Sequence, residues 1–408
     1  MKLSRRESAA ARSSNVRRRA RSGSGCATPC GNGRIGAGRG RAGGKVIDDA
    51  ARALYPARVI DIPAPLRLRL DGDALVRNWQ TLDRMSGRAA CGAAVKANGY
   101  GLGAVEVARR LAGAGCRDFF VSNWREAVEL APLGLAVSVL HGVRDEDMVA
   151  ARAGIARPVL NTPAQVARWK AGGGGACDVM VDTGMNRLGV SAQDIADGLL
   201  DGLTIETLMS HLACADEDAA MNAVQRDRFA ALQGMTGARR MSLANSAGIA
   251  LGHDYAFDLT RPGLAVYGGV PRGELGEVIT PVVYPEAEIL QVRRVRAGDA
   301  VGYNATWTAK ADTDVAVVNL GYADGYFRGF SNCGTAWHGQ DRLAVIGRVS
   351  MDLVAIDVTS ATVCEGDWIA FDAALPDAAV VSGMSQYELL TAMGTRFQRL
   401  WDAPRISA

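Results

Sequence analysis

The chain has 408 residues, 48% of them hydrophobic, which is typical of an enzyme-sized globular protein with room for two domains. No apolar run approaches the roughly 18 residues that a membrane helix needs, so we expect no membrane segment and a cytoplasmic location. Residues 1–58 contain 14 Lys or Arg and 3 Asp or Glu, whereas the rest of the chain contains 32 and 40. An acidic body of this kind argues against nucleic acid as a partner.

The basic segment at residues 1–60 is rich in arginine and glycine and poor in aromatic and branched apolar residues. We expect a disordered tail, because such a segment cannot bury enough surface to order itself. A nucleic-acid-binding arm, a transit peptide and an export signal built on Arg5 and Arg6 are the functional alternatives. The export signal fails because no apolar stretch follows these arginines, and a dispensable tail is the expectation.

Cysteine and histidine are too sparsely placed to predict a metal site. The eight cysteines occur singly, except for Cys26 and Cys30, and none of the four histidines pairs at ligand spacing. We therefore expect free thiols in a reducing compartment and no bound metal.

Eight short apolar runs between residues 90 and 270 each end in a polar or glycine-rich turn, and stretches with helical periodicity lie between them. The runs end near Lys96, Asn123, His141, Asn161, Asp182, His211, Asn245 and Tyr267. Helical stretches cover residues 103–114, 124–131, 163–171 and 222–234. Eight β/α units in succession predict an α/β fold with a (β/α)8 TIM-type barrel, which we place at residues 61–283.

Alternating, β-branched runs begin after residue 281 and are separated by short turns. The runs cover residues 287–295, 315–320, 343–349, 354–358 and 368–371, and a helical stretch follows at 387–394. This pattern predicts a mostly antiparallel C-terminal β domain at residues 284–408.

Lys96 directly follows the apolar run at residues 91–95 and precedes a glycine-rich turn that carries Tyr100. An amine desolvated in this way can act as a nucleophile towards carbonyl groups or as a base. Taken alone, the pattern more often marks an ordinary lysine at a strand end. In a barrel, however, the loops after the strands converge around one mouth. That mouth would also gather the other polar residues at or just past strand ends, namely Arg187, His211, Asn245, Ser246 and Arg261.

Eight short motifs give these residues a more specific meaning. They lie at residues 95–101, 182–189, 210–216, 245–247, 261–268, 302–306, 321–325 and 347–352. In this order and spacing the chain closely resembles alanine racemases, the pyridoxal 5′-phosphate (PLP) enzymes with a barrel followed by a β domain. The resemblance covers about residues 62–400. It implies PLP as the cofactor and interconversion of L- and D-alanine, for peptidoglycan synthesis or alanine catabolism.

Racemisation needs two bases, because a proton leaves one face of the substrate Cα and another arrives on the opposite face. By resemblance, Lys96 forms the PLP aldimine and serves the D-face, while Tyr303 serves the L-face. A tyrosine is a poor base near neutral pH unless cations stabilise its phenolate, and His211 and Arg261 are the implied neighbours. Arg261 is also expected to hydrogen-bond the pyridine nitrogen, which would weaken the ring as an electron sink and favour racemisation over transamination.

The resemblance implies that the cofactor phosphate is held by hydroxyl groups and backbone N–H groups. The full set of expected cofactor-binding residues is Lys96, Tyr100, Arg187, His211, Asn245, Ser246, Arg261, Gly263, Leu264 and Tyr387. Gly263 suits a close approach of the backbone because it lacks a Cβ. Tyr387 could instead be a packing residue of the last helix.

The substrate carboxylate is expected to contact Arg187, whose planar fork suits it, and the backbone N–H of Met351. The residues that match a polar access channel described for the family are Tyr322, Arg348, Asp216 and Arg328. In the family the equivalent of Tyr303 reaches the barrel mouth of the partner subunit, so a homodimer is implied.

One position departs from the family pattern. Many members have a lysine two residues before the 182–189 motif, often modified to a carbamate that supports the equivalent of Arg187. Here the position is Met180, which can neither carry a carbamate nor offer a hydrogen bond. Arg187 must then be positioned in another way, such as by a bound anion or by Asn186, and we expect weaker orientation.

Three alternatives remain open from sequence alone. A racemase of broader amino acids, such as serine, would use the same scaffold and would differ in pocket volume. A non-catalytic PLP carrier of the barrel type would lack the β domain and a counterpart of Tyr303. A nucleic-acid-binding role would depend on the arginine-rich tail. Decarboxylases of similar architecture are disfavoured, because neither their glycine-triplet phosphate loop nor their cysteine-based β-domain motif is found.

Overall fold

Two sheets organise the residues that this computed structural model describes, which are residues 62–402. The expected disordered tail lies outside the described residues. The strands in the first part of the chain are β1 (Leu66–Leu70), β2 (Ala90–Cys91), β3 (Ala93–Ala94), β4 (Asp118–Val121), β5 (Ala136–Val139), β6 (Arg157–Leu160), β7 (Ala176–Met180), β8 (Thr204–Met209), β9 (Arg240–Ser242) and β10 (Leu259–Thr260). The helices are α1 (Gly72–Met85), α2 (Lys96–Tyr100), α3 (Ala104–Ala114), α4 (Trp124–Leu130), α5 (Met148–Arg152), α6 (Pro163–Ala171), α7 (Ala192–Ala196), α8 (Ala220–Ala230) and α9 (Ser246–Ala250).

The first sheet is the expected barrel. Strands β3 to β9 pair in parallel and in chain order, and β10 pairs in parallel with β2. Strands β2 and β3 are separated only by Gly92, whose N–H donates to the Thr260 carbonyl at 2.9 Å. At the other seam the Arg261 N–H donates to the Ala244 carbonyl at 2.8 Å, which ties β10 to β9. The barrel therefore closes, and the prediction of a TIM-type barrel is confirmed.

The eighth strand is not where the sequence pattern placed it. The predicted strand ended at Tyr267, but Leu264–Tyr267 forms a 3-10 turn and the eighth strand is β10. A short apolar run cannot be assigned to a strand or a helix by periodicity alone, and this one is completely buried. The strand ends earlier because Pro262 and Gly263 follow it.

Local capping explains where several helices begin. The Thr162 hydroxyl accepts the Gln165 N–H at 3.1 Å, and Pro163 occupies the first turn of α6, so α6 covers the predicted residues 163–171. The predicted helix at 222–234 begins two residues earlier and ends at Ala230. Within residues 62–402 no helix is long and apolar enough to cross a membrane.

The second sheet forms the β domain. Its further strands are β11 (Val283–Val295), β12 (Ala300–Val301), β13 (Trp307–Thr308), β14 (Thr313–Val318), β15 (Thr335–His338), β16 (Asp341–Ile346), β17 (Val354–Asp357), β18 (Trp368–Phe371) and β19 (Gln398–Trp401), of which β12 and β13 form a separate hairpin. The order is β14-β17-β16-β15-β18-β11-β1-β19, and β11 also pairs with β14. Every pairing is antiparallel except that of β1 with β19, so the predicted mostly antiparallel domain is confirmed.

Strand β1 belongs to this second sheet, although the predicted barrel range of 61–283 included it. Leu66 lies opposite Ala287 in an antiparallel pairing. The sequence pattern could not show this partnership, because the two strands are more than 200 residues apart in the chain.

The end of the chain brings the β domain onto the barrel mouth. Helices α10 (Leu375–Ser382) and α11 (Gln386–Thr391) precede β19. The helix predicted at 387–394 corresponds to α11, which begins one residue earlier and ends three residues earlier. The Arg399 Nε donates to the Gly101 carbonyl at 2.8 Å, just past the lysine turn. A Cβ on Gly101 would come within 2.7 Å of the Leu390 carbonyl oxygen, so the turn packs directly on α11.

Candidate active site

A cavity of about 450 Å³ opens at the carboxyl ends of the barrel strands. All ten expected cofactor-binding residues line it: Lys96, Tyr100, Arg187, His211, Asn245, Ser246, Arg261, Gly263, Leu264 and Tyr387. They come from the five connections that follow β3, β7, β8, β9 and β10, and from α11. The structure therefore brings together side chains that lie up to 291 positions apart in the sequence.

The lysine is followed by a left-handed turn. The φ angles of Ala97, Asn98, Gly99 and Tyr100 are 53°, 55°, 61° and 52°. For the residues other than glycine this conformation costs roughly 1–2 kcal/mol each. Asn98 supports the turn by accepting the Ala104 N–H on its side-chain oxygen at 3.0 Å. Strained backbone of this kind persists only where the surroundings enforce it, and it is concentrated at functional sites.

Lys96 is partly buried at the start of this turn. Burial lowers the pKa of its amine, and the positive charge of Arg187 lowers it further, whereas Glu126 opposes the shift. A lowered pKa increases the fraction of amine that is unprotonated and able to act as a nucleophile or a base.

Tyr100 forms one wall of the cavity. Its ring stacks on Tyr267 with 4.5 Å between ring centroids, and the ring of Tyr387 lies 6.3 Å away in a tilted arrangement. The Tyr267 hydroxyl donates to the Ala94 carbonyl at 2.8 Å, which anchors the stack to β3. A Cβ on Gly263 would overlap the Tyr100 hydroxyl. Glycine at position 263 is therefore what allows Tyr100 to reach this part of the cavity.

Ser246 is held by the loop that follows β10. Its Oγ accepts the N–H groups of Gly263 at 2.9 Å and Ala265 at 3.2 Å, which leaves the hydroxyl proton free to donate. The Gly263 N–H thus donates to Ser246 within the protein, and its role towards the cofactor phosphate stays a prediction. The Leu264 N–H has no hydrogen-bond partner among residues 62–402. Asn245 caps α9 through its side-chain oxygen, which accepts the Gly248 N–H at 2.8 Å.

Arg261 and His211 line the same cavity, where Arg261 is cationic and His211 is neutral. The Arg261 guanidinium donates to the Ser210 carbonyl at 2.6 Å and to the Ser242 hydroxyl. Burial lowers the pKa of Arg261 to about 10, against the attraction of Asp178, so the group stays protonated at neutral pH. Burial, together with the positive charges of Arg261, Arg187 and Lys96, lowers the pKa of His211 to about 3.

Behind His211 lies a hydrogen-bond network that sequence reasoning missed. The fully buried Gln225 donates to the His211 carbonyl at 2.9 Å and to the Thr183 hydroxyl at 3.2 Å, and it accepts the Ala213 N–H at 2.8 Å. Thr183 shares a further hydrogen bond with Ser210 at 2.8 Å. Nothing in the helical pattern of α8 distinguishes Gln225 from a solvent-facing residue.

Glu126 was also missed, although a weak signal was present. Asn123 caps α4 by accepting the Glu126 N–H at 3.1 Å, and Asn-x-x-Glu after a strand is typical of a helix start. The pattern predicts that Glu126 returns to the cap residue. Instead its carboxylate accepts N–H groups from Ser122 and from Ala97, next to the lysine.

Arg187 is exposed at the rim of the cavity, and its guanidinium makes no hydrogen bond or ion pair within the part of the chain that the structure describes. Met180 is buried and lines the same cavity. The Asn186 amide donates to the Gly184 carbonyl at 3.5 Å, so Asn186 does not position Arg187 through a hydrogen bond.

Tyr303 and Met351 do not line this cavity. The side chains are 68% and 54% exposed, and both residues belong to the β domain. Tyr303 instead borders an open cavity of about 730 Å³ together with Arg348. Of the other channel residues, the Arg328 guanidinium lies 5.0 Å from the centre of the Tyr322 ring.

No group of three His, Cys, Asp or Glu side chains within residues 62–402 is arranged to hold a metal ion. The six cysteines of this region are free thiols, and Cys91, Cys116 and Cys177 are buried.

Comparisons with known proteins agree with the geometry. The family profile described as "Alanine racemase, N-terminal domain" matches residues 70–271, and the profile "Alanine racemase, C-terminal domain" matches residues 282–401. An alanine racemase of Acidiphilium cryptum is 41% identical over 351 residues, which are 82% of this chain and 98% of the relative. A relative from Agrobacterium fabrum, named "Alanine racemase, catabolic", is 39% identical over 365 residues, with 83% of this chain and 93% of the relative covered.

Solved structures show the same similarity. The alanine racemase of Bartonella henselae, solved with covalently bound pyridoxal phosphate, superposes with a TM-score of 0.78 at 32% identity, covering 83% of this chain and 100% of that one. The biosynthetic alanine racemase of Pseudomonas aeruginosa gives a TM-score of 0.76 at 29% identity, covering 84% of this chain and 100% of that one. The chain therefore belongs to the alanine racemase family of pyridoxal phosphate-dependent isomerases.

Proposed function

We propose that this protein interconverts L-alanine and D-alanine with pyridoxal 5′-phosphate bound in the barrel cavity. The observation that carries the proposal is the convergence of ten expected cofactor-binding residues on one cavity, with a lysine whose pKa is lowered at its mouth. The relatives' names support alanine as the substrate.

The residues of the cavity fit this cofactor. Lys96 offers an amine for its aldehyde, while the hydroxyls of Tyr100 and Ser246 offer protons that no other described residue accepts. The space that a Cβ on Gly263 would fill is taken by the Tyr100 hydroxyl, which shapes a cradle lined by neutral donors. When bound, PLP withdraws electrons from the substrate Cα and so makes its hydrogen acidic.

The chain's own residues would then move the proton. Lys96 takes it from, or returns it to, one face of Cα, and its lowered pKa favours the form that can accept. Arg261, held by Ser210 and Ser242, keeps its charge and presents a fixed donor to the ring nitrogen without readily giving up a proton. Neutral His211 lies beside it, and Arg187 at the rim orients the substrate carboxylate.

The opposite face needs a second base, for which we propose Tyr303 of a partner subunit. Within one chain Tyr303 lies outside the cavity and is largely exposed, as a residue that completes a neighbour's site would be. The Met351 N–H would reach the substrate carboxylate in the same way. The proposed functional unit is therefore a homodimer. We propose the cytoplasm as its location.

The dimer proposal is tested by mixing two inactive variants, Lys96→Ala and Tyr303→Phe. If Tyr303 acts across the interface, each mixed dimer has one site with both residues intact, and activity returns on mixing and re-association. If Tyr303 acts within its own chain, every site lacks one base and the mixture stays inactive.

The substrate proposal is tested by chiral chromatography of L-alanine and L-serine incubated with the PLP-loaded protein. Formation of D-alanine, at a higher kcat/KM than D-serine, supports an alanine racemase. Faster conversion of serine would assign the chain to a broader racemase on the same scaffold. Rescue of a bacterium that requires D-alanine would support the role in peptidoglycan synthesis, and rescue of growth on L- or D-alanine as carbon source would support catabolism.

A further inference from the structure

The carboxylate of Glu126 joins the lysine turn to the neighbouring strand. Its Oε1 accepts the Ala97 N–H at 2.9 Å, and its Oε2 accepts the Ser122 N–H at 2.7 Å. Ala97 directly follows Lys96, and Ser122 directly follows β4. Each carboxylate oxygen thus accepts a backbone N–H from a different loop at the barrel mouth.

The Ala97 contact falls where the backbone most needs support. Ala97 has a left-handed φ of 53°, and two further residues other than glycine follow it in the same conformation. The short α2 turn offers the Ala97 N–H no carbonyl partner, and Glu126 supplies the acceptor. Loss of that acceptor would remove the side chain that ties the strained turn to β4, so the turn would relax and move the lysine.

Glu126 also acts on Lys96 through its charge. Burial and Arg187 lower the pKa of the amine, and Glu126 raises it. The other titratable or charged groups that line the cavity are Tyr100, His141, Asp182, Arg187, His211, Arg261 and Tyr387. Of the charged groups around the amine, Arg187 lowers its pKa and Glu126 is the carboxylate that raises it. Glu126 therefore affects both the position and the protonation of the amine.

We propose that Glu126 is a positioning residue for Lys96, which locks the left-handed turn onto β4 and so aims the lysine amine into the cavity. This inference rests on the proposed function of Lys96 as the residue that binds the cofactor and moves the proton. Glu126 itself does not line the cavity and is not given a role in contact with substrate.

The test compares Glu126→Gln with Glu129→Gln, an exposed glutamate of the same helix. The amide keeps the size of the side chain but turns one acceptor into a donor that faces a backbone N–H. For Glu126→Gln we expect kcat to fall about 10- to 100-fold, as for a small displacement of a reacting group, with a smaller change in KM. The absorbance of the lysine-bound cofactor should titrate at lower pH than in wild type. Glu129→Gln should match wild type in kcat, in KM and in the pH at which the cofactor absorbance titrates.

A folded Glu126→Gln variant with wild-type kcat and a wild-type spectroscopic titration would overturn the inference. If this variant does not fold, Glu126→Asp takes its place, since it keeps the charge but shortens the reach by one methylene. The kcat of Glu126→Asp should then be lower than that of wild type, and an unchanged kcat would contradict the proposal. Failure of the proposed function would look different, because the wild-type protein itself would then not racemise alanine.

Discussion

The Tyr100 hydroxyl occupies the space that a β-carbon on Gly263 would need. This relationship couples the loop after β10 to the turn after the lysine, and it keeps a neutral donor beside Ser246. Since the φ of Gly263 is −129°, the glycine is required here by the close approach and not by a left-handed backbone.

Gly263→Ala should therefore weaken cofactor binding. The added methyl group must displace Tyr100, and overpacking of this kind costs about 1–3 kcal/mol, which would correspond to roughly 5- to 150-fold in affinity if it falls on the cofactor-bound state. The measurement is a titration of the cofactor-free protein with PLP, followed by absorbance.

Gly113→Ala is the matched control for this prediction. Gly113 lies in α3, and a Cβ there would meet nothing within 4 Å. Affinity should stay at the wild-type value, and stability should rise by about 0.5–1 kcal/mol because alanine favours the helix. Equal affinities of Gly263→Ala and wild type would contradict the role of Tyr100.

His211 should make the protein less stable in acid. Its pKa is about 3 in the folded protein and 6.5 for the unperturbed group, so between these pH values the unfolded chain binds a proton that the folded chain does not. The free energy of unfolding should therefore fall as the pH drops from about 6.5 towards about 3, and no contribution is expected above this window. Urea unfolding of wild type and His211→Gln at a series of pH values measures the difference, and identical pH slopes would refute the assignment.

Met180→Lys should change how well the substrate is held. Arg187 has no hydrogen-bond partner within residues 62–402, and Met180 lies in the same cavity wall. A lysine that becomes carbamylated in bicarbonate would give Arg187 a charged acceptor, so the KM for alanine should fall several-fold. Met180→Leu, which conserves volume, should leave KM unchanged. If Met180→Lys changed neither kcat nor KM, weak orientation of Arg187 would be ruled out.

Gln225→Leu should destabilise the wall behind His211. The substitution removes the partner of the Ala213 N–H and of the His211 carbonyl, and the loss of each such hydrogen bond costs about 0.5–1.5 kcal/mol. Urea unfolding of the variant should show a lower midpoint, together with a lower kcat. Gln193→Leu, at an exposed position of α7, should leave both unchanged, and a wild-type midpoint for Gln225→Leu would contradict the structural role.

Local patterns were sufficient to predict the elements that carry the site. Lys96, His211 and Asn245 follow apolar strands, and parallel strands in a barrel bring their ends together, so their convergence could be predicted from order alone. The helix at 163–171 has its predicted bounds, and in the structure a capping threonine and a proline mark its start.

Other features depend on contacts that local sequence does not encode. Strand β1 pairs with β11 across more than 200 residues, and Leu264–Tyr267 is helical because of its place in the fold. Glu126 accepts the Ala97 N–H, and Gln225 donates to the His211 carbonyl. No local motif predicts either partner, since the helix-start pattern around Glu126 predicts only that it returns to its own cap. The place of Tyr303 relative to a barrel mouth depends on a second chain and stays a proposal.

The most direct test of the account is proton NMR of L-alanine in deuterium oxide with the PLP-loaded protein, combined with chiral analysis of the product. The account predicts that the Cα proton signal disappears while deuterated D-alanine forms. With Lys96→Ala neither change should occur. Absence of exchange in protein that demonstrably holds the cofactor would contradict the central claim that this chain racemises alanine.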